Sequence, residues 1–360
     1  MFTPAESSIG ALFIQYATGS YMAVEGKVVG FSNIIFNSVF KPTIHNISIV
    51  LGVLFSGRFI KRFLPDFVPL YASSTTNNPS ILGSLSNYSL SGALVGLGTS
   101  LAHGCTSGHM IAGVSRLRLR SIVATAVFAS TAAITSALLH NGTSLGLGVT
   151  PFTYDDQFVA FNANKDILLK LLALGFAHSY IVMPYVMKRV KASGDETWIK
   201  VAKFFSGLST GFQFGLGLLI SGMASSTKVL GFLSIFNKEK FDPSLLLIPA
   251  LVVLPNIFIW RKQLPQTKLE GIQKSPILEN SYDLSFSDTI DTPFILGNVV
   301  FGVGWGLSGI CPATGLLGAE FNGKNGAFWL ASFIGGYFAG NQLEYHQVWP
   351  CSSSGSTATI

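Results

Sequence analysis

The sequence predicts an all-α integral membrane protein with about nine transmembrane helices, re-entrant half-helix loops and two inverted repeats. Three observations predict this fold class: a low charge content, nine apolar segments of helical length, and a glycine-rich pattern that occurs twice. Of the 360 residues, 49% are hydrophobic and 11% are charged, whereas a typical soluble domain has about 25% charged residues. A chain with so few charges cannot cover a surface exposed to water, so we expect it to lie in a lipid bilayer.

The nine apolar segments are the predicted spans. A straight span needs about 20 mostly apolar residues, and a broken helix that is buried in protein needs fewer. The first, third and eighth segments are short, rich in glycine and followed by weakly polar sequence, which is typical of half-helices that lead into re-entrant loops. The segments are 8–23, 44–60, 89–103, 119–140, 166–187, 203–224, 242–261, 292–308 and 326–341.

Basic residues lie in short clusters between the spans, and this distribution favours a topology signal over nucleic-acid binding. Connections one, three, five and seven hold 14 Lys and Arg, and the even-numbered ones hold 8, when residues at span ends are included. The bias predicts a multi-pass protein of the cell membrane with its N-terminus outside and its C-terminus in the cytoplasm. Glycosylation-type sequons at Asn87 and Asn141 fall in even-numbered connections, in agreement. We interpret Arg116, Arg118 and Arg120 as topological anchors.

The two halves of the chain resemble each other. Residues 20–31 align with residues 221–232 at a constant offset of 201, and seven of the twelve positions are identical. A second pairing, at an offset of 206, aligns Gly96, Gly98, Leu101 and Cys105 with Gly302, Gly304, Leu307 and Cys311. We therefore divide the chain into a first repeat half (1–165), a linking helix with a basic connection (166–202), a second repeat half (203–341) and a disordered tail (342–360).

The number of spans sets the direction of the second repeat. Five spans separate a feature from its copy, and an odd number reverses the direction in which the copy crosses the bilayer. The repeats are then inverted and related by a pseudo-two-fold axis in the membrane plane. In transporters built this way, substrate binds near the midplane, where broken helices meet. We therefore expect the two cysteine segments, around Cys105 and Cys311, to lie there.

The two cysteine segments contain most of the residues that we expect to line a pathway. Thiols and hydroxyls donate hydrogen bonds weakly enough that a polarizable sulfur anion is held without being trapped. We therefore predict a transporter, not an enzyme, for a small sulfur-containing anion, with no cofactor or metal. Lys27 and Lys228 pair in the first alignment and would each draw anions into a vestibule, unless they only mark the membrane interface. The candidates are Lys27, His103, Cys105, Thr106, Ser107, His109, Lys228, Ser308, Cys311 and Thr314.

Other interpretations of the same residues stay open. A tetrahedral metal site is one, although each half supplies one cysteine and no C-x-x-C pair exists; its ligands would be His103, Cys105, His109 and Cys311. The cysteines could also be small buried hydrophobic residues, or the redox partners of a membrane thiol oxidoreductase or sulfur-relay protein. The two histidines could satisfy loop backbone groups or shuttle protons. Except at span edges, no Asp or Glu lies within a span, so the sequence shows no proton relay.

Several stretches carry a resemblance to a known family: His103–His109, Gly113–Leu117, Ser221–Met223, Lys228–Phe232, Asp242–Ser244 and Gly309–Pro312, with Gly315. They resemble the YeeE/YedE sulfur-transport family of thiosulfate transporters. The resemblance covers most of the chain between about residues 8 and 341, and the cysteine segments are its most specific part.

The resemblance implies thiosulfate uptake through an hourglass-shaped helical protein whose loops dip to the centre. Cysteines along the path would pass the anion on by S–H hydrogen bonds, and Cys105 and Cys311 match two of them. Bacterial members carry a further cysteine in the first loop, whereas Gly30–Asn33 here has none, and Ser32 takes its place. A cytoplasmic sulfurtransferase that receives the anion is a further expectation from the family.

Overall fold

The computed structural model describes residues 2–69, 71, 81–140, 154–238, 240–264 and 275–345. In these residues the regular structure is helical, apart from one isolated bridge between Lys27 and Asp283. The predicted all-α class is thereby confirmed. The sequon at Asn141 and most of the predicted tail lie outside the described residues, and tail residues 342–345 belong to the last helix.

In its described part, the first half contains five α-helices. They are α1 (Pro4–Glu25), α2 (Phe31–Phe40), α3 (Ile44–Phe63), α4 (Ile81–Leu101) and α5 (Leu119–His140), with a π-helical turn, Ser107–Gly113, between α4 and α5. Local sequence sets several of the boundaries. Pro4 fits the first turn of α1, and Gly26 ends this helix in the left-handed conformation, with φ 68°. Thr43 caps α3 by accepting the amide of Asn46.

Eight further α-helices follow among the described residues, and the first of them begins at the end of the first half. They are α6 (Tyr154–Ala177), α7 (Met183–Ser193), α8 (Glu196–Ile220), α9 (Ser226–Leu233), α10 (Leu254–Gln263), α11 (Thr292–Ser308), α12 (Pro312–Phe321) and α13 (Gly323–Tyr345). Short helical turns extend two of them: His178–Val182 joins α6 to α7, and Pro243–Leu246 and Pro249–Val253 precede α10. Aspartate side chains cap α8 and α11, at Asp195 and Asp291.

Each of the nine predicted spans falls on a helix. α4 begins eight residues before the predicted span, so Asn87 lies in this helix and not in a loop. Five helical stretches of the described chain are long and apolar enough to cross a membrane: Ile44–Phe63, Leu119–Leu139, Ala160–Ser193, Pro243–Arg261 and Thr292–Phe321. A multi-pass membrane protein is thereby confirmed, while the count of nine spans stays a prediction.

Glycines bring α4 and α11, one from each half, into backbone contact. A Cβ at Gly98 would clash with the backbone of Phe301, and one at Gly304 would lie 2.8 Å from the Val95 nitrogen. The contact order along α4 is opposite to that along α11, so the two helices are antiparallel.

The first helices of the two halves, α1 and α8, are also antiparallel. Near one end of the contact, Gly10 packs on the backbone of Gly217. Gly10 also contacts Ser221, whereas Ile14, one turn further along α1, contacts Gly217, so the two helices run in opposite directions. One buried hydrophobic cluster includes residues of both helices and of α4 and α11, so the halves share a single core.

The helices of the two halves correspond in order, but not in the register of the first sequence alignment. α1 ends at Glu25 and α8 at Ile220, and these ends are 195 residues apart. α2 begins at Phe31 and α9 at Ser226, which are also 195 residues apart. The offset of 201 therefore pairs the turn before α2 with residues inside α9. The offset of 206 behaves differently, because it places each cysteine just after the corresponding helix, α4 or α11.

The glycine contact between the halves gives a direct test of the packing. We expect Gly98→Ala to destabilise the protein by about 1–3 kcal/mol, because the added methyl forces α4 and α11 apart. Gly335→Ala is the matched control, since a Cβ at this glycine of α13 meets no atom within 4 Å. Thermal unfolding of the purified variants in detergent measures the stability of each. Equal stability of Gly98→Ala and Gly335→Ala would contradict the contact between α4 and α11.

Candidate functional site

The Cys105 turn joins α4 to the π-helical turn and contacts the start of α2. Cys105 is 1% exposed, and its Sγ lies 3.3 Å from Ser107 Oγ. Ser107 Oγ also accepts the backbone N–H of Phe31, the first residue of α2, at 3.1 Å. One serine therefore connects the thiol to the N-terminus of α2.

The Cys311 turn joins α11 to α12 in a comparable way. Cys311 is 4% exposed and directly precedes α12. Thr314 Oγ1 accepts the Cys311 amide at 3.0 Å and lies 3.5 Å from Cys311 Sγ. Ser308 Oγ accepts the amide of Ile310 at 3.3 Å. The predicted residues Ser308 and Thr314 thus hold the backbone of this turn.

The two cysteine turns meet. Cys105 and Cys311 belong to one buried cluster, and Thr106, the residue after Cys105, lies close enough to influence the thiol of Cys311. Both cysteines are free thiols. Among the described residues, no three His, Cys, Asp or Glu side chains are arranged to hold a metal ion.

Four helical elements begin next to these turns. The π-helical turn follows Cys105, α12 follows Cys311, and α2 starts at the residue that bonds Ser107. The fourth is α9, because a Cβ at Gly309 would lie 2.5 Å from the carbonyl oxygen of Ser226. The first N–H groups of a helix and its dipole favour negative charge. These helix ends therefore place partial positive charge around the two thiols.

A basic cavity of about 540 Å³ lies on the Cys105 side of the site. Four of the predicted residues line it: Lys27, Ser32, His103 and His109. Four further lining residues were not predicted as site residues: His45, Arg116, Arg118 and Arg120. The described lining includes one carboxylate, Asp283. The signal was present in the alternation of arginine and leucine directly after the Cys105 segment.

Two of the three arginines are held by a segment that precedes α11, while Arg120 lies over the ring of Phe294 in α11 itself. Arg118 forms an ion pair with Asp288 at 2.7 Å, and Arg116 Nη2 donates to the carbonyl of Ser285 at 3.0 Å. Arg116 Nε and Nη1 have no hydrogen-bond partner among the described residues. Burial lowers the pKa of Arg116 to about 10, and the charge of Arg118 acts in the same direction. Arg116 therefore stays charged at neutral pH, with two donors left for an anion.

The histidines of the first segment have different surroundings. His109 Nε2 lies 3.0 Å from the carbonyl of Ala102, and Nδ1 lies 3.2 Å from Ser121 Oγ. This ring therefore ties the turn to α5, as expected for a histidine that satisfies backbone groups. His103 is exposed and has a positive φ of 54°, an uncommon conformation outside glycine.

Lys228 lies away from the basic cavity. It is fully buried in α9, and its Nζ donates to Thr3 Oγ1 at 2.7 Å and to the carbonyl of Ser221 at 2.8 Å. The charges of Glu6 and Asp242 act on the same amine. The lining of the cavity includes Lys27 and not Lys228, so the structure separates the two lysines that the alignment paired.

Comparison with known proteins identifies both halves separately. A family model described as sulphur transport matches residues 6–134, and a model for a family of unknown function, DUF6691, matches residues 202–348. A protein of Xylella fastidiosa strain 9a5c named "Probable transporter" is 34% identical over 112 residues, which are 31% of this chain and 70% of that protein. Another from strain Temecula1, with the same name, is 32% identical over 122 residues, which are 33% of this chain and 83% of that protein. No solved structure matches the chain significantly.

The close contact at Gly309 predicts a localised effect of a methyl group. Gly309 has φ 68° and Gly323 has φ 53°, so alanine at either position is strained by about 1–2 kcal/mol. A Cβ at Gly323 meets no atom within 4 Å, whereas one at Gly309 pushes against α9. We expect Gly309→Ala to lower the unfolding temperature more than Gly323→Ala. Differential scanning fluorimetry measures the unfolding temperatures of the two variants. A lower unfolding temperature for Gly323→Ala than for Gly309→Ala would contradict the contact between the Cys311 turn and α9.

Proposed function

The chain belongs to the YeeE/YedE sulphur-transport family, and on this premise we propose that it takes up thiosulfate, or a closely related small sulfur anion, across the membrane. The observation that carries the proposal is that the two cysteine turns, one from each half, place Cys105 and Cys311 in one buried cluster. The pathway would run from the basic cavity through this meeting point. We assign no catalytic step to it.

The chemistry of the site suits a dianion with a soft sulfur end. Hydroxyls and helix N–H groups can donate to its oxygens, while the thiols of Cys105 and Cys311 donate weak hydrogen bonds to its sulfur. Weak donors at successive positions allow the anion to leave as well as to enter, which conduction requires. Ser32 and Ser107 would receive the anion from the cavity and pass it to Cys105.

We propose that the two halves are inverted repeats with the cysteine turns near the membrane midplane. The antiparallel pairs α1–α8 and α4–α11 support this arrangement, because an in-plane two-fold axis reverses the direction of each corresponding helix. Nine spans and an hourglass-shaped pathway fit the same arrangement. A cytoplasmic sulfurtransferase would then receive the imported anion.

The orientation in the membrane depends partly on the cavity residues. Lys27, Arg116, Arg118 and Arg120 belong to the odd-numbered connections that predict an external N-terminus. Removing these four from the 14 basic residues of the odd connections leaves 10, against 8 in the even ones. With an external N-terminus these connections would face the cytoplasm, whereas capture for uptake requires the cavity to face outward. The proposed pathway therefore favours a cytoplasmic N-terminus over the predicted external one.

Uptake of ³⁵S-thiosulfate into cells without other sulfur importers tests the thiol pathway. We expect Cys105→Ala and Cys311→Ala each to lower uptake by about tenfold, the effect of losing one useful hydrogen bond. Serine at either position keeps a hydrogen-bond donor, so the serine variants should retain more uptake than the alanine variants. If uptake depended on redox chemistry of the cysteines, serine and alanine would abolish it equally. Cys351→Ala, in the C-terminal tail, is the control. Uptake by both alanine variants at the wild-type level would contradict the proposed thiol pathway.

The basic cavity predicts an effect on apparent affinity. We expect Arg120→Gln to raise the KM for thiosulfate about fivefold with little change in maximal rate, as one nearby charge contributes about 1 kcal/mol at low salt. The difference should shrink at high ionic strength. Arg189→Gln is a matched control. Arg120 lies over the ring of Phe294 and Arg189 over that of Tyr185, but Arg189 is on α7 outside the cavity. Identical KM values for both variants would argue against anion capture in this cavity.

A further inference from the structure

The N-terminus of α9 lies against the Cys311 turn and has no assigned role. α9 is eight residues long, and its first residue, Ser226, packs against Gly309 through the carbonyl group. The first N–H groups of any helix lack partners within the helix. In α2, the corresponding N-terminus contacts the Cys105 turn through Ser107.

Two hydroxyl groups at this N-terminus are buried without a hydrogen-bond partner. Ser226 is 2% exposed and Thr227 is 5% exposed, and neither side-chain oxygen is bonded to any described residue. Nearby buried serines behave differently, because Ser221 donates to the Leu218 carbonyl and Ser234 to the Leu230 carbonyl. A buried hydroxyl without a partner is unfavourable, so these two donors require an explanation.

The register of the helices relates this position to Ser32. Ser32 is the second residue of α2 and Thr227 the second residue of α9, and the starts of these helices are 195 residues apart. Ser32 lines the basic cavity beside the Cys105 turn. Each half therefore places a hydroxyl at the second residue of a short helix next to its cysteine turn. The offset of 201 obscured this relation, since it paired Phe31 with Phe232.

We infer that Ser226 and Thr227 form a second anion-binding position, on the Cys311 side of the pathway. Its ligand class is a small divalent sulfur oxyanion, whose oxygens accept from the two hydroxyls and from the first N–H groups of α9. Lys228 does not take part, because its amine is bonded to Thr3 and Ser221. The inference rests on the proposed transport function. It adds a hydroxyl position after Cys311 on the pathway, just as Ser32 supplies one before Cys105.

Replacement of the threonine by valine tests the position. Thr227→Val keeps the shape of the side chain and removes the hydroxyl, so we expect thiosulfate uptake to fall about fivefold. The unfolding temperature should stay the same or rise, since the hydroxyl makes no bond within the protein. Thr99→Val is the control, because Thr99 Oγ1 donates to the Val95 carbonyl inside α4 at 2.7 Å. Unchanged uptake by Thr227→Val, or a loss of uptake accompanied by a lower unfolding temperature, would overturn the inference.

Thiol labelling tests the same position without relying on transport. In a background of Cys105→Ser, Cys311→Ser and Cys351→Ser, Thr227→Cys should react with a small methanethiosulfonate reagent, and thiosulfate should slow the reaction. Thr99→Cys should stay unlabelled. If Thr227→Cys does not react, the position is not on the pathway. If it reacts while the wild-type protein takes up no thiosulfate, the position stands and the proposed substrate fails.

Discussion

Backbone polar groups cannot face the hydrocarbon core of a bilayer, and the rest of this structure depends on that constraint. Four helical elements begin inside the protein, so their first N–H groups must find partners there. Ser107 accepts the amide of Phe31, and Thr314 accepts the amide of Cys311. Such breaks are tolerated only where protein surrounds them, and the glycine contact between α4 and α11 brings the two halves close enough to do so.

The same constraint provides the electrostatics of the proposed pathway. Helix N-termini that are buried for structural reasons place partial positive charge around the two thiols. Full charges stay further out, in the basic cavity, where Arg116 keeps donors free and Arg118 is neutralised by Asp288. An anion would thus be attracted by strong charges in the cavity and held only by weak donors at the centre. This division allows capture without trapping.

Local patterns in the sequence predict much of this structure. Apolar length and glycine content place each of the nine predicted spans on helical structure, and the 206-residue offset locates both cysteine turns. Long-range relations were less accessible. Seven identities at an offset of 201 favoured a register that the helix boundaries do not share. That alignment paired Lys228 with Lys27, but Lys228 lies in a buried cluster of polar and charged groups with Glu6 and Asp242. The arginines after the Cys105 turn look like topology signals until the fold brings them to one cavity.

The central claim is that the anion pathway runs between one thiol from each half, Cys105 and Cys311. Cryo-electron microscopy of the purified protein in thiosulfate, compared with the same preparation in sulfate, tests this most directly. We expect density for an elongated anion between Cys105 and Cys311 in the thiosulfate preparation and none there in the sulfate preparation. Density elsewhere with an empty gap between the thiols, or thiols too far apart to contact one anion, would contradict it.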